Sequence, residues 1–92
     1  MKKSHIKISS MLKAMSHPKR IEILQIVLNE NETNVNELSK LINAKQPSTS
    51  QYLKTLKYAG ILKSEIKHVE RIYSFKGEKE KQFVNKVLNP TV

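Results

Sequence analysis

Apolar and polar positions divide the chain into seven segments. Ile8, Met11, Leu12 and Met15 recur at helical spacing and predict a first helix over about 5–15. Ser16-His17 interrupts it. Pro18 can open a second helix, because the amides of a first helical turn have no intrahelical partner in any case. Ile21, Ile23, Leu24, Val27 and Leu28 give that helix an apolar face wide enough for a central position, and it fades in Asn29-Glu30-Asn31-Glu32. Asn34-Val35-Asn36-Glu37 fits a capping box, with Asn34 accepting backbone N–H bonds and Glu37 reaching back. The short helix it opens turns Val35, Leu38, Leu41 and Ile42 inward and ends near Asn43-Ala44-Lys45. Pro47 starts a fourth helix, which Gly60 closes as a left-handed C-terminal residue. Thr49, Leu53 and Leu56 point into the protein there, with Tyr52 at one edge. Ser48, Ser50, Gln51, Lys54 and Thr55 are left toward solvent or a partner.

From Leu62 the period changes from helix to strand. Lys63–Lys67 and Arg71–Phe75 are rich in β-branched and aromatic residues and read as a hairpin turning at His68-Val69-Glu70. Alternation assigns Tyr73 and Phe75 to the core. After Gly77 the helical period returns, with Phe83, Val84, Val87 and Leu88 on one stripe, until Asn89-Pro90 ends it. The predicted order is α-α-α-α-β-β-α: a mainly helical domain over 1–92, with a helix-turn-helix at about 35–59, a β-hairpin at about 62–76 and terminal helices at about 5–15 and 78–88.

Two short helices joined by a tight turn, the second opening on small polar residues, form a helix-turn-helix. Such a helix fits a major groove only if its leading side chains are short or flexible and can hydrogen-bond base edges. Gln46, Ser48, Thr49, Ser50 and Gln51 supply such groups, and glutamine is shaped for bidentate pairing with adenine. Charge sharpens the picture. Lys and Arg outnumber Asp and Glu by 17 to 8, a net charge of +9, which favours a polyanionic partner. From Lys40 to Lys63 the bases Lys40, Lys45, Lys54, Lys57 and Lys63 have no acid between them. Lys45 and Lys54 therefore join the predicted DNA-contacting set, and Tyr52 joins it as a residue that suits either a core edge or a phosphate contact. The hairpin contributes Lys67, His68 and Arg71, as a wing reaching a phosphate or an adjacent minor groove.

Other chemistries recede. With no cysteine there is no thiolate site, disulfide or thiol redox switch, and two glycines leave no Gly-rich phosphate loop. No nucleophile–base pairing stands out, so an enzyme is not expected, nor a cofactor. No apolar run approaches the ~20 residues of a membrane span, and MKKSHIKISS lacks the apolar core of a secretion signal. The expected location is the cytoplasm.

The run Leu12-Lys13-Ala14-Met15-Ser16-His17-Pro18-Lys19-Arg20-Ile21 resembles the opening of ArsR-type (SmtB/ArsR) repressors. Gln46-Pro47-Ser48-Thr49-Ser50-Gln51-Tyr52-Leu53-Lys54-Thr55-Leu56, followed by Ala59-Gly60-Ile61-Leu62, is similar to that family's recognition-helix signature. The likeness runs over about residues 8–76. It implies a dimeric winged helix-turn-helix repressor on an inverted-repeat operator, released in many relatives by a metal or another signal. The chain departs from the family's metal chemistry. Asn34 and Asn36 stand where metal-sensing members have Cys-x-Cys, and no Asp or His lies between Gly77 and Leu88. Amides are poor ligands for soft or borderline metals, so a branch without the metal site is expected.

Each functional assignment has a plainer competitor. Lys13, Lys19 and Arg20 are either phosphate contacts or solvated surface bases. His17, at a helix start, suits capping or packing better than ligation, and His5 and His68 are expected to be exposed. Two further readings stay open: a winged helix whose basic face meets an acidic protein, and a repressor with an atypical metal site of His5, His17 and a Glu brought together across a dimer. For dimerisation the expected residues are Ile8, Met11, Leu12 and Met15 at one end and Phe83, Val84, Val87 and Leu88 at the other. A compact winged helix leaves both terminal helices half uncovered, and a two-fold partner covers both.

Overall fold

The computed structural model describes residues 3–90, so the four outermost residues of the predicted 1–92 domain lie outside it. The elements are α1 (Lys3–Met15), α2 (Pro18–Glu30), β1 (Glu32–Thr33), α3 (Val35–Leu41), α4 (Gln46–Tyr58), β2 (Leu62–Lys67), β3 (Glu70–Phe75) and α5 (Glu78–Leu88). The core gathers around α2, where Ile23, Leu24 and Val27 are wholly buried together with Leu38, Leu53, Leu56 and Ile61.

Local chemistry sets the boundaries. Asn34 caps α3, its Oδ1 accepting from the Glu37 amide at 2.8 Å. His17 caps α2, its Nδ1 accepting from the Lys19 amide at 3.1 Å. Helices α3 and α4 both end in a Schellman motif. Ala44 N–H donates to Ser39 O at 3.0 Å past a left-handed Asn43 (φ 54°), and Ile61 N–H donates to Leu56 O at 3.1 Å past a left-handed Gly60 (φ 81°). These closures turn the chain sharply enough to pack α4 across α3 and to lead straight into β2.

The sheet differs from the predicted hairpin by one strand. β1 pairs antiparallel with β3 (Glu32↔Ser74, Thr33↔Tyr73), so the order is β1-β3-β2. A two-residue strand leaves no periodic signal; only its partner reveals it. The hairpin register is Leu62↔Phe75 through Lys67↔Glu70, with His68 (φ 61°) in the turn.

Several burial expectations need correction. Leu41 is 53% exposed, while Ile42, four residues past buried Leu38 and bonded to its carbonyl, lies on the same face and takes the inward place. Ile21 lies on the outer side of α2 at 36% exposure. Met11, Met15 and Val84, assigned to a dimer interface, are at most 4% exposed within the protomer. Their side chains belong to its own core, because α1 packs on α2 and α4 and α5 packs on α2.

Candidate nucleic-acid interface

Helix α4 is held at its first turn by a buried polar pair. Thr49, fully buried, donates to the Lys45 carbonyl at 3.0 Å and accepts from Ser39 Oγ of α3 at 3.0 Å. This fixes the angle between the two helices of the motif. It also corrects the sequence assignment: a hydroxyl with no exposure cannot reach a base edge, so Thr49 positions the helix rather than contacting DNA. Tyr52 is half-buried, its ring against His17 with centroids 5.0 Å apart, a second brace between α4 and the start of α2.

With Thr49 at the inner centre and 3.6 residues per turn, the outer residues of α4 fall on three strips. Pro47, Gln51 and Tyr58 form the crest, with Lys54 beside it. Gln46, Ser50 and Lys57 line the flank nearest β2, and Ser48 with Thr55 occupies the opposite flank. Gln46, Gln51, Lys45 and Lys54 are exposed and Ser50 is half-buried. Gln46 Nε2 donates to Asn36 Oδ1 at 3.0 Å, so the first residue of α4 is aligned by α3.

Of the other bases, two serve the scaffold. Lys19 Nζ donates to the Ile42 carbonyl and Arg20 Nε to the Ala14 carbonyl. Each places a cation at a helix C-terminus, where carbonyls lack partners and the helix dipole is negative. On the wing, Lys67 is ion-paired with Glu32 at 3.0 Å; the hydrogen bond to that carboxylate, and its charge, hold the ammonium above its ordinary pKa. Arg71 instead donates to Ser64 Oγ at 3.1 Å, and that oxygen also accepts from Lys57 Nζ at 2.9 Å. His68 is exposed in the hairpin turn. Sequence reasoning missed Ser64. Lys57 was visible in the acid-free run, but only the strand register brings it to Arg71.

Asn34 and Asn36 both have engaged amide oxygens, one as the α3 cap and one as the Gln46 partner. Among the described residues no three His, Cys, Asp or Glu side chains gather at one point. No described helix is long and apolar enough to cross a membrane.

A helix-turn-helix with an open, polar, acid-free second helix and a small sheet beside it is a winged helix-turn-helix of the kind that binds DNA. The chain belongs to the arsR family of bacterial regulatory proteins, whose profile matches residues 17–64. It is 34% identical over 70 residues to the HTH-type transcriptional regulator YgaV of Escherichia coli (strain K12), covering 76% of this chain and 71% of that protein. Its structure is similar to HlyU from Vibrio cholerae N16961, with TM-score 0.83 and 29% identity over 95% of this chain and 94% of that one. It is also similar to the transcriptional repressor PagR of Bacillus anthracis, with TM-score 0.82 and 27% identity over 94% of this chain and 97% of that one. The protein is thus a DNA-binding transcriptional regulator, not an enzyme.

Proposed function

We propose that this regulator is a homodimeric repressor that reads an inverted-repeat operator with α4 and grips the flanking backbone with its wing. The observation that carries the reading is the outer surface of α4: neutral hydrogen-bonding groups (Gln46, Ser50, Gln51) among Lys45, Lys54 and Lys57, with no carboxylate from Lys40 to Lys63. Lysines alone would bind any polyanion; amides among them supply the donors and acceptors that separate one base pair from another.

The dimer follows from what the protomer leaves uncovered. Ile8, Leu12 and Val87 are 42–45% exposed, and half-buried Phe83 and Leu88 lie beside them on α5. Lys7, Ile8 and Met11 of α1 and Lys79, Glu80 and Phe83 of α5 line a groove of about 300 Å³. A two-fold partner laying the same helices across this groove buries both stripes at once.

The test is selection of bound duplexes from a random pool at about 150 mM salt. The reading expects a two-fold symmetric sequence with half-sites about one helical turn, ~10 base pairs, apart. Enrichment of a single half-site, or no enrichment over the starting pool, overturns it.

A further inference from the structure

We propose that Lys57, Ser64 and Arg71 form a clamp for one phosphodiester of the DNA backbone, where that strand passes between the recognition helix and the wing. The proposal rests on the DNA-binding reading above and adds a site to it.

Ser64 Oγ accepts from Lys57 Nζ at 2.9 Å and from Arg71 Nη1 at 3.1 Å. Two accepted bonds occupy the hydroxyl's lone pairs and leave its O–H free to donate outward. The cluster therefore offers three kinds of donor and two positive charges. Among the described residues no carboxylate lies within 4.0 Å of either cation. Two like charges converging on one oxygen repel, and an anion between them adds two attractions that offset that repulsion.

The sheet register explains why the acids stay away. Directly paired residues share a face, so Ser64, Ile66, Arg71 and Tyr73 lie on the face that meets the end of α4. Glu65 and Glu70 lie on the other face with Lys67, whose ammonium is paired with Glu32. The wing thus has a mixed-charge back and a purely cationic front. That front adjoins the α4 flank bearing Gln46 and Ser50, so a duplex seated with α4 in the major groove carries its backbone over this junction on the way to the wing.

The test compares wild type, Lys57→Gln/Arg71→Gln, Lys67→Gln and Gln51→Ala on the duplex selected from the random pool and on an unrelated duplex. Each phosphate neutralised contributes about 0.9 to the slope of log affinity against log salt. Losing one clamp per protomer of a dimer should shallow that slope by about 2. The wild-type advantage should then shrink roughly tenfold between 50 and 200 mM salt, equally on both duplexes. Lys67→Gln should leave the slope closer to wild type. A neutral methylphosphonate walked along each half-site should find one position that weakens wild type but not the double variant. All the substituted side chains except Gln51 lie on the wing or the last turn of α4, so each variant should fold, and a thermal melt of each is the check. A double variant with the wild-type slope, or equal sensitivity of both proteins at every methylphosphonate position, overturns the clamp. If Gln51→Ala still loses specificity in that case, the clamp alone is wrong. If wild type shows no salt-dependent duplex binding, the DNA-binding reading and the clamp fall together.

Discussion

Thr49 and Gln51 lie two positions apart on one helix and have opposite duties. Thr49 is buried and spends its hydroxyl on Lys45 and Ser39; Gln51 is exposed, and only its backbone carbonyl is engaged by a side chain, the Thr55 hydroxyl at 3.1 Å, which leaves the side-chain amide to face outward. Gln51→Ala should cost about 1–3 kcal/mol on the preferred duplex and relax its specificity. Thr49→Val keeps the shape but removes the bond between α3 and α4, leaving Ser39 Oγ on the Val35 carbonyl at 2.7 Å and the Lys45 carbonyl without its hydroxyl donor. It should lower stability by about 1–2 kcal/mol while leaving the sequence ranking of bound duplexes unchanged. Chemical melts beside competition titrations separate the two; a changed ranking for Thr49→Val would return that residue to the groove. The two asparagines in place of the family's Cys-x-Cys are likewise spent, one on a helix cap and one on Gln46. Micromolar zinc, cadmium or nickel should therefore leave operator binding unchanged. Stoichiometric metal uptake by calorimetry, coupled to release of DNA, would restore the reading with His5 and His17.

At the scale of elements, α1 and α5 meet along one edge of the core. Lys7 Nζ lies 3.2 Å from Glu80 Oε2, bridging the two helices beside the apolar groove. Burial alone would raise the Glu80 pKa. The backbone amide bond it accepts, with the hydrogen bond and charge of Lys7 and the charge of Lys76, outweighs that and lowers it below the ordinary 4.5. A depressed carboxylate stabilises the fold fully above its ordinary value and loses that contribution as pH falls through the lowered one. Wild type should therefore lose melting temperature on acidification below about pH 4.5 faster than Glu80→Gln does. At neutral pH the variant should be less stable by about 0.5–1 kcal/mol, since Lys7 is half-exposed. Parallel acid titrations of the two proteins would exclude the bridge.

For the whole molecule, the outer faces of those helices are what the proposed two-fold partner covers. Phe83 packs partly on its own core, so truncating it disturbs fold and interface together. Leu12 and Val87, 45% and 44% exposed, test the interface more cleanly. Leu12→Lys with Val87→Lys should leave the protomer folded, shift sedimentation to monomer and weaken operator binding by far more than it weakens binding to a lone half-site. A double variant that still sediments as a dimer would place the two-fold contact elsewhere. A chain of 92 residues buries little core by itself, so association should also show as a melting temperature that rises with protein concentration.

Much of this protein is written in local pattern. The 3.6-residue period of Ile23, Leu24, Val27, Leu53 and Leu56, the Asn34 cap, Gly60 after α4 and the alternation ending in Tyr73 and Phe75 act over a few residues each, so the four leading helices, the hairpin and α5 could be read directly. The acid-free run from Lys40 to Lys63 likewise marks the proposed binding face from composition alone. What the chain could not disclose is whatever depends on partners distant in sequence. The strand at Glu32–Thr33 exists only through Ser74 and Tyr73. Met11, Met15 and Val84 carry the same apolar signal whether a partner or their own core covers them, and only the packing of α1 and α5 on α2 decides that. Lys57, Ser64 and Arg71 are ordinary polar residues until Gly60 turns the chain and the hairpin register brings three elements to one oxygen. Short-range forces set each element; which side chains meet was settled by close packing, which joins residues regardless of their separation along the chain.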